Sequence, residues 1–252
     1  MNDREYDVMR HVEDTYWWYR VLRGMVVEAC QAELAGRPEA SILDAGCGTG
    51  GMMEVLRGVN PSWKLTGLDF SPHAVAYTRK RGFEQVVEGS VDALPYADAS
   101  FDLVYSLDVL CIGGVHEERA MKEFFRVLRP GGVMMLNLPA FMLLRGQHDV
   151  AVHSARRYTP GRLRELLETG GFEVERSHCW NLWLFPPIAC WRLLSRVLKP
   201  ADAAQAKSDL SMPPTLLNRS LTLLAQVDAK VCQLIHSPLG TSVWAIGRKA
   251  AA

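Results

Sequence analysis

Leu43-Asp44-Ala45-Gly46-Cys47-Gly48-Thr49-Gly50-Gly51 is the stretch on which the reading of this chain turns. It follows a short apolar run, 41–45, with the length of a buried strand, and a helical pattern begins behind it. Glycines at a strand-to-helix joint permit positive φ and let a ligand approach the backbone closely. The helix N-terminus beyond offers unpaired N–H groups to negative or polar ligand atoms. Two registers are open at this point. Gly46, Gly48 and Gly51 keep the G-x-G-x-x-G spacing of dinucleotide-binding turns, while Gly46, Gly48 and Gly50 keep a tighter G-x-G-x-G. A tight turn without any ligand is the third reading.

Working outward, short β-rich runs alternate with helical patterns, the signature of βαβ units and a parallel sheet. Strands are expected at 41–45, 64–70, 84–88, 101–107, 133–138, 172–178 and 242–247. Ser71-Pro72 is an N-cap with proline at the first helical position, opening a helix to about Arg81. Met121, Phe124, Phe125 and Leu128 form a helical stripe over 117–128, closed by Arg129-Pro130-Gly131-Gly132. Thr159-Pro160 starts a further helix that ends at Gly170-Gly171. The fold class is therefore α/β, a doubly wound sheet. Two regions lie outside the alternation: an aromatic helical N-terminus with Tyr16-Trp17-Trp18-Tyr19, and an apolar stretch from Asn181 interrupted by six prolines. The expected division is a helical lid over 1–36, a core over 37–180, a helical insertion over 181–240 and a last strand with its tail over 241–252. A mobile surface loop is expected over 201–206.

Composition narrows the function classes. Lys plus Arg and Asp plus Glu number 28 each in 252 residues, which lacks the basic footprint of a protein that grips nucleic-acid backbones. Six scattered cysteines without a CxxC pair read as reduced thiols of a cytoplasmic protein. The charged first ten residues lack the apolar core of a signal peptide, and 180–191 is too short and too interrupted to span a bilayer. A small-molecule partner is expected, with no nucleic acid and no transmembrane segment. Contact with a membrane surface, and either a monomer or a homodimer, remain open.

Asp69 closes the second strand, where an acid is placed to accept from ribose hydroxyls; the plainer reading is a carboxylate capping the helix that Ser71 opens. The set then becomes specific. Asp44-Ala-Gly-Cys-Gly-Thr-Gly resembles the first motif of class I S-adenosylmethionine (SAM)-dependent methyltransferases, which starts with an acid that nicotinamide enzymes usually lack. Gly67-Leu-Asp69-Phe-Ser71 resembles their second motif. Asp92-Ala-Leu-Pro95 with Ser100-Phe101-Asp102 resembles the third and fourth, and Arg126-Val-Leu-Arg-Pro130-Gly131-Gly132 the approach to the fifth strand.

The resemblance implies a Rossmann-like seven-stranded sheet with an antiparallel last strand, and SAM as cofactor. It implies that Asp44, Gly46, Gly48 and Gly50 hold the methionine end and Asp69 the ribose. Cys47, Phe70, Ser90, Val91, Asp92 and Ser106 complete the implied cofactor set. Two departures stand out. Ser90 occupies the slot where many relatives place an Asp against the adenine amine, and Leu107-Asp108-Val-Leu-Cys111-Ile112 lacks an acid–histidine pair found in many relatives.

The segment from Pro139 to Tyr158 should border the acceptor, because ligands in such folds lie beyond the carboxyl ends of the strands. Its His148-Asp149, His153 and Arg156-Arg157-Tyr158 resemble a broad bacterial methyltransferase family that also carries a Trp-Trp helix and a Leu-Phe-Pro-Pro stretch, here Trp17-Trp18 and Leu184–Pro187. The His-Asp pair is similar to that of ubiquinone-type O-methyltransferases. Methyl transfer to a high-pKa hydroxyl needs a base, and a histidine near neutrality serves. His148, held by Asp149 or another acid, is the first candidate and His153 the second; tying a long loop to the sheet is the plainer role. Trp17, Trp18, Tyr19, Asp149, Arg157 and Tyr158 are candidate acceptor contacts, and no metal site is expected. The expected function is transfer of a methyl group from SAM to a small apolar or amphiphilic acceptor, O-methylation ahead of N- or C-methylation. The rivals are a non-catalytic SAM-binding partner protein and an NAD-dependent oxidoreductase.

Overall fold

The structure, a computed structural model, describes residues 3–198 and 212–251; the loop expected over 201–206 lies outside them. Seven strands form one sheet: β1 (Ser41–Ala45), β2 (Lys64–Asp69), β3 (Val86–Glu88), β4 (Phe101–Leu107), β5 (Leu128–Pro139), β6 (Glu173–Trp180) and β7 (Ser242–Arg248). Their order is β3-β2-β1-β4-β5-β7-β6. The first five pair in parallel, and β7 runs antiparallel to both β5 and β6. This is the expected doubly wound sheet with an antiparallel last strand. β6 runs two residues further than its apolar pattern suggests, because β7 pairs with it as far as Trp180.

The helices are α1 (Asp3–Val12), α2 (Trp17–Glu33), α3 (Gly51–Val59), α4 (Pro72–Lys80), α5 (Glu117–Val127), α6 (Gln147–Ala151), α7 (Pro160–Thr169), α8 (Phe185–Leu198) and α9 (Thr215–Leu234). Two start where their caps predict. Ser71 Oγ accepts from the Ala74 amide ahead of α4 and Thr159 Oγ1 from the Arg162 amide ahead of α7, each with proline at the first turn.

Alternation along the strands sends side chains to two cores. Ile42, Leu103, Tyr105, Val133 and Met135 meet α2, α3 and α9 on one face; Leu43, Val104, Met134 and Leu136 meet α5 and α7 on the other. Each fully buried aliphatic side chain contributes on the order of 1.5–3 kcal/mol. Both faces are therefore closed, which is what a parallel sheet requires.

The two regions outside the alternation come together. Asn218 on α9 accepts from the Trp17 amide at 2.9 Å and donates to the Thr15 carbonyl at 2.8 Å, holding the α1–α2 junction. Asp228 accepts from the amides of Leu182 and Trp183 and so anchors the turn into α8. α9 thus belongs to the helical layer beside α2, whereas α8 sits at the strand ends, with Ile188 and Arg192 on a cavity wall. Among the described residues no helix is long and apolar enough to cross a membrane.

Candidate active site

The carboxyl ends of the parallel strands open into a cavity of about 780 Å³, within the range of small-molecule sites. Its floor is the glycine loop. Gly46, Gly48 and Gly50 have φ of +101°, +53° and +77°, values that residues with a Cβ rarely adopt. Gly51 is glycine for a different reason: a Cβ there would collide with the Arg23 guanidinium and the Glu13 carboxylate. Both glycine spacings are therefore real, one imposed by backbone angle and the other by space. The amides of Gly46 and Cys47 both donate to the Leu68 carbonyl, which hangs the loop on β2.

Two acids flank the loop. Asp44 is 3% exposed and accepts from the Tyr105 hydroxyl at 2.8 Å; burial pushes its carboxyl up to about 8. Asp69 accepts from the amides of Gly48 (2.8 Å) and Ser71 (3.0 Å) and from the Tyr6 hydroxyl (3.1 Å). Burial raises its pKa as well, against those three donors. Asp69 is thus both the loop clamp at the start of α4 and a wall of the cavity.

α1 closes this end of the cavity through a buried ionic cluster. Glu13 is bound by Arg23 (2.6 Å), by Arg81 (2.6 Å) and by the Thr49 hydroxyl, and Asp14 pairs with Arg23 at 3.1 Å. The sequence reading missed Tyr6, Glu13, Arg23 and Arg81, which come from separate elements and share no motif. The extra glycine at position 51 is the one local trace of them.

Of the residues that the resemblance assigns to the cofactor, Asp44, Gly46, Cys47, Gly48, Asp69, Phe70, Ser90 and Val91 line the cavity. Gly50, Asp92 and Ser106 stand behind it. Gly50 caps α3, the Asp92 carboxylate accepts from the His116 amide, and Ser106 Oγ donates to the Ala45 carbonyl at 2.7 Å. Ser90 Oγ accepts from the Asp92 amide at 3.2 Å, so its hydroxyl is shared between a turn and the cavity.

The opposite wall carries Trp17, Trp18, Tyr19, His148, His153, Asp149 and Arg157. Trp18 stacks on Trp180 with ring centroids 5.8 Å apart. Asp149, 2% exposed, accepts from Arg157 Nε at 2.8 Å and Nη2 at 3.0 Å and from the Gly146 amide at 2.7 Å. Arg157 in turn donates to the Ala140 carbonyl. The acid is therefore committed to Arg157, and the pair ties the segment after β5 back to the sheet. Arg156 donates to the carbonyls of Ile112 and Val115, and Tyr158, whose hydroxyl reaches the Leu110 carbonyl at 2.9 Å, lies behind the wall. His153 is exposed, with φ +59°, and its carbonyl accepts from the Gly113 amide; His148 is half-buried.

One acid on this wall was passed over. Asp108, the residue after β4, has φ +58°. Its carboxylate accepts from the Asn137 side-chain amide at 3.1 Å, and Asn137 Oδ1 accepts from the Trp180 indole at 2.9 Å. Burial raises the Asp108 carboxyl to about 7. Sequence pattern marked the position only by what its neighbours Cys111 and Ile112 lack.

The donor set fits SAM. Buried carboxyls at Asp44 and Asp69 suit a cationic amino-acid end and ribose hydroxyls, and the φ-positive glycines leave backbone bare between them. Among the described residues no group of three His, Cys, Asp or Glu is placed to hold a metal ion.

Comparison with known proteins agrees. Residues 43–136 match the methyltransferase domain family. A relative named "probable S-adenosylmethionine-dependent methyltransferase", from Mycolicibacterium smegmatis, is 33% identical over 65% of this chain and 62% of its own length. A 24-methylenesterol C-methyltransferase of rice is 30% identical over 82% of this chain and 58% of its own. The chain thus spans less than two thirds of these relatives. A solved SAM-dependent methyltransferase from Thermotoga maritima superposes with a TM-score of 0.60 at 19% identity, covering 98% of this chain and 95% of that one. Fold, glycine loop and family match converge: residues 43–136 match a methyltransferase domain, set in the fold that a solved SAM-dependent methyltransferase shares.

Proposed function

We propose that the chain transfers a methyl group from SAM to a small apolar or amphiphilic acceptor, with a hydroxyl oxygen favoured over nitrogen or carbon. The observation that carries this reading is the composition of the second half of the cavity. Trp17, Trp18, Ile112, Val115, Leu144 and Ile188 line it, a surface from which an apolar acceptor displaces water favourably. The rice relative, by its name, acts on a sterol, an acceptor of that kind. SAM, when bound, supplies an electrophilic methyl group on a sulfonium, so the protein's contribution is largely to align the acceptor with it.

In this reading the aromatic rings of Trp17, Trp18 and Tyr19 border the sulfonium, whose charge ring faces attract. His148 and His153 contact the acceptor's polar end, and the Asp149–Arg157 pair keeps their segment in place. Calorimetry with SAM and with NAD, followed by transfer from methyl-tritiated SAM to an alkylphenol, a fatty acid and a small amine, tests the proposal. SAM binding with label entering the alkylphenol is expected. NAD binding without SAM binding would sink the cofactor half of the reading; SAM binding with label only in the amine would sink the acceptor half.

A further inference from the structure

We infer that Asp108 is the catalytic proton acceptor: its carboxylate takes the proton of the acceptor's hydroxyl as the methyl group reaches that oxygen. The inference rests on the methyl-transfer reading above. Asp108 follows the strand beside β1 and lines the cavity between the Asp44 end and the loop over 109–113. A carboxylate has about four acceptor sites, and among the described residues the side-chain hydrogen bonds at this one come from a single neutral amide, Asn137 Nδ2, at 3.1 and 3.3 Å. Four of the other cavity acids are engaged differently: Glu13 is ion-paired with Arg23 and Arg81. Asp69 takes three donors, Asp149 is clamped by a guanidinium and an amide, and Asp44 holds a tyrosine hydroxyl.

The support behind Asp108 is rigid. Its amide donates to the Asn137 carbonyl at 2.8 Å, and Asn137 and Trp180 are both fully buried. The left-handed backbone at Asp108 is uncommon outside glycine, and it persists where surrounding contacts impose a geometry. The charged and titratable groups around it are Arg157 from the segment after β5, Tyr19 on α2 and Cys111 in its own loop; Asp149 and His148 line the same cavity. Burial raises the Asp108 pKa, the Asn137 hydrogen bond and then Arg157 lower it by less, and the balance near 7 suits a base at neutral pH.

The step balances. The acceptor's O–H bond breaks with its proton going to an Asp108 oxygen, and the oxygen's electron pair forms the new O–CH3 bond. The S–CH3 bond breaks with its electrons on sulfur, leaving a neutral thioether, and the proton leaves to solvent when product departs.

The test uses D108N, which keeps the Asn137 hydrogen bond and suits the left-handed backbone, since asparagine tolerates that region. Carboxyl-carbon NMR of protein labelled at aspartate, with the signal assigned by its loss in D108N, should show Asp108 titrating near 7. Titration in the ordinary carboxylate range near 4 would overturn the inference. With the alkylphenol as acceptor, D108N should lose about 100-fold or more in kcat and the acidic limb of the pH profile, with SAM binding by calorimetry unchanged. Wild-type turnover in D108N would overturn it. Failure of the wild-type protein to methylate the phenol would count against the acceptor reading instead, and the titration then judges Asp108 by itself.

Discussion

Single residues of this cavity divide by what burial does to them. The Asp44 carboxyl, lifted to about 8, must be ionised to meet a cationic ligand. SAM affinity should therefore fall as pH drops below about 8, because binding must then displace a proton. Asp44→Asn should weaken SAM binding by about 10- to 100-fold, the worth of a charge-assisted contact, and abolish that slope; calorimetry across pH checks both. His148 is half-buried on the acceptor wall. His148→Ala should raise KM for the acceptor while kcat changes little, and a drop of about 100-fold in kcat would make the imidazole the base in place of Asp108. The glycine loop, Asp44 and Asp69 were legible in the sequence because one short segment carries each with its motif. Asp108 was not, because its chemistry depends on Asn137, Trp180 and Arg157, 29, 72 and 49 positions away in the chain.

At the scale of elements, α1 is held by Tyr6 within it and by Glu13, the residue that follows it. Tyr6 reaches Asp69 and Glu13 reaches Arg23, Arg81 and Thr49. Breaking a buried ion cluster by removing one charge typically costs about 3–5 kcal/mol. Glu13→Gln should show a loss of that order in urea unfolding, together with weaker SAM binding, because α1 also presents Tyr6 to the cavity. Unchanged stability would mean that α1 is not fastened as described. The segment after β5 is fastened by the Asp149–Arg157 pair, 3% and 11% exposed at their side chains. The strands and their capped helices followed from periodicity and turn residues. α9 did not: its place beside α2 depends on Asn218 and Asp228 bonding to distant backbone, which no local pattern encodes.

The whole molecule stores three raised carboxyls in one cavity, Asp44, Asp69 and Asp108. A carboxyl whose folded pKa exceeds its unfolded value near 4 contributes stability that is complete below that value and lost as pH rises through the folded one. For Asp108 and Asp44 that window runs from about 4 to about 7 and 8 respectively. His178, held down to about 4 by burial, works in the opposite direction between 4 and 6.5. The pH dependence of the ligand-free protein is therefore best isolated by difference. The Tm of a D44N/D108N double variant, relative to wild type, should climb steadily from pH 4 to 8. A flat difference would show that these acids are ionised at ordinary pH. SAM added in excess of its Kd should raise the wild-type Tm by mass action.

By itself the sequence determined the fold class, the strand and helix order, and the glycine turn with its acids. Each of these is written in contiguous residues whose spacing or dihedral preference acts locally. Tertiary structure alone decided which of the assigned residues face the cavity, that Asp149 serves Arg157, that α1 is locked over the glycine loop, and that Asp108 meets the cavity with Asn137 behind it. Burial, charge pairing and desolvation are properties of neighbours brought together from across the chain, and they exist only once the sheet has placed those neighbours side by side.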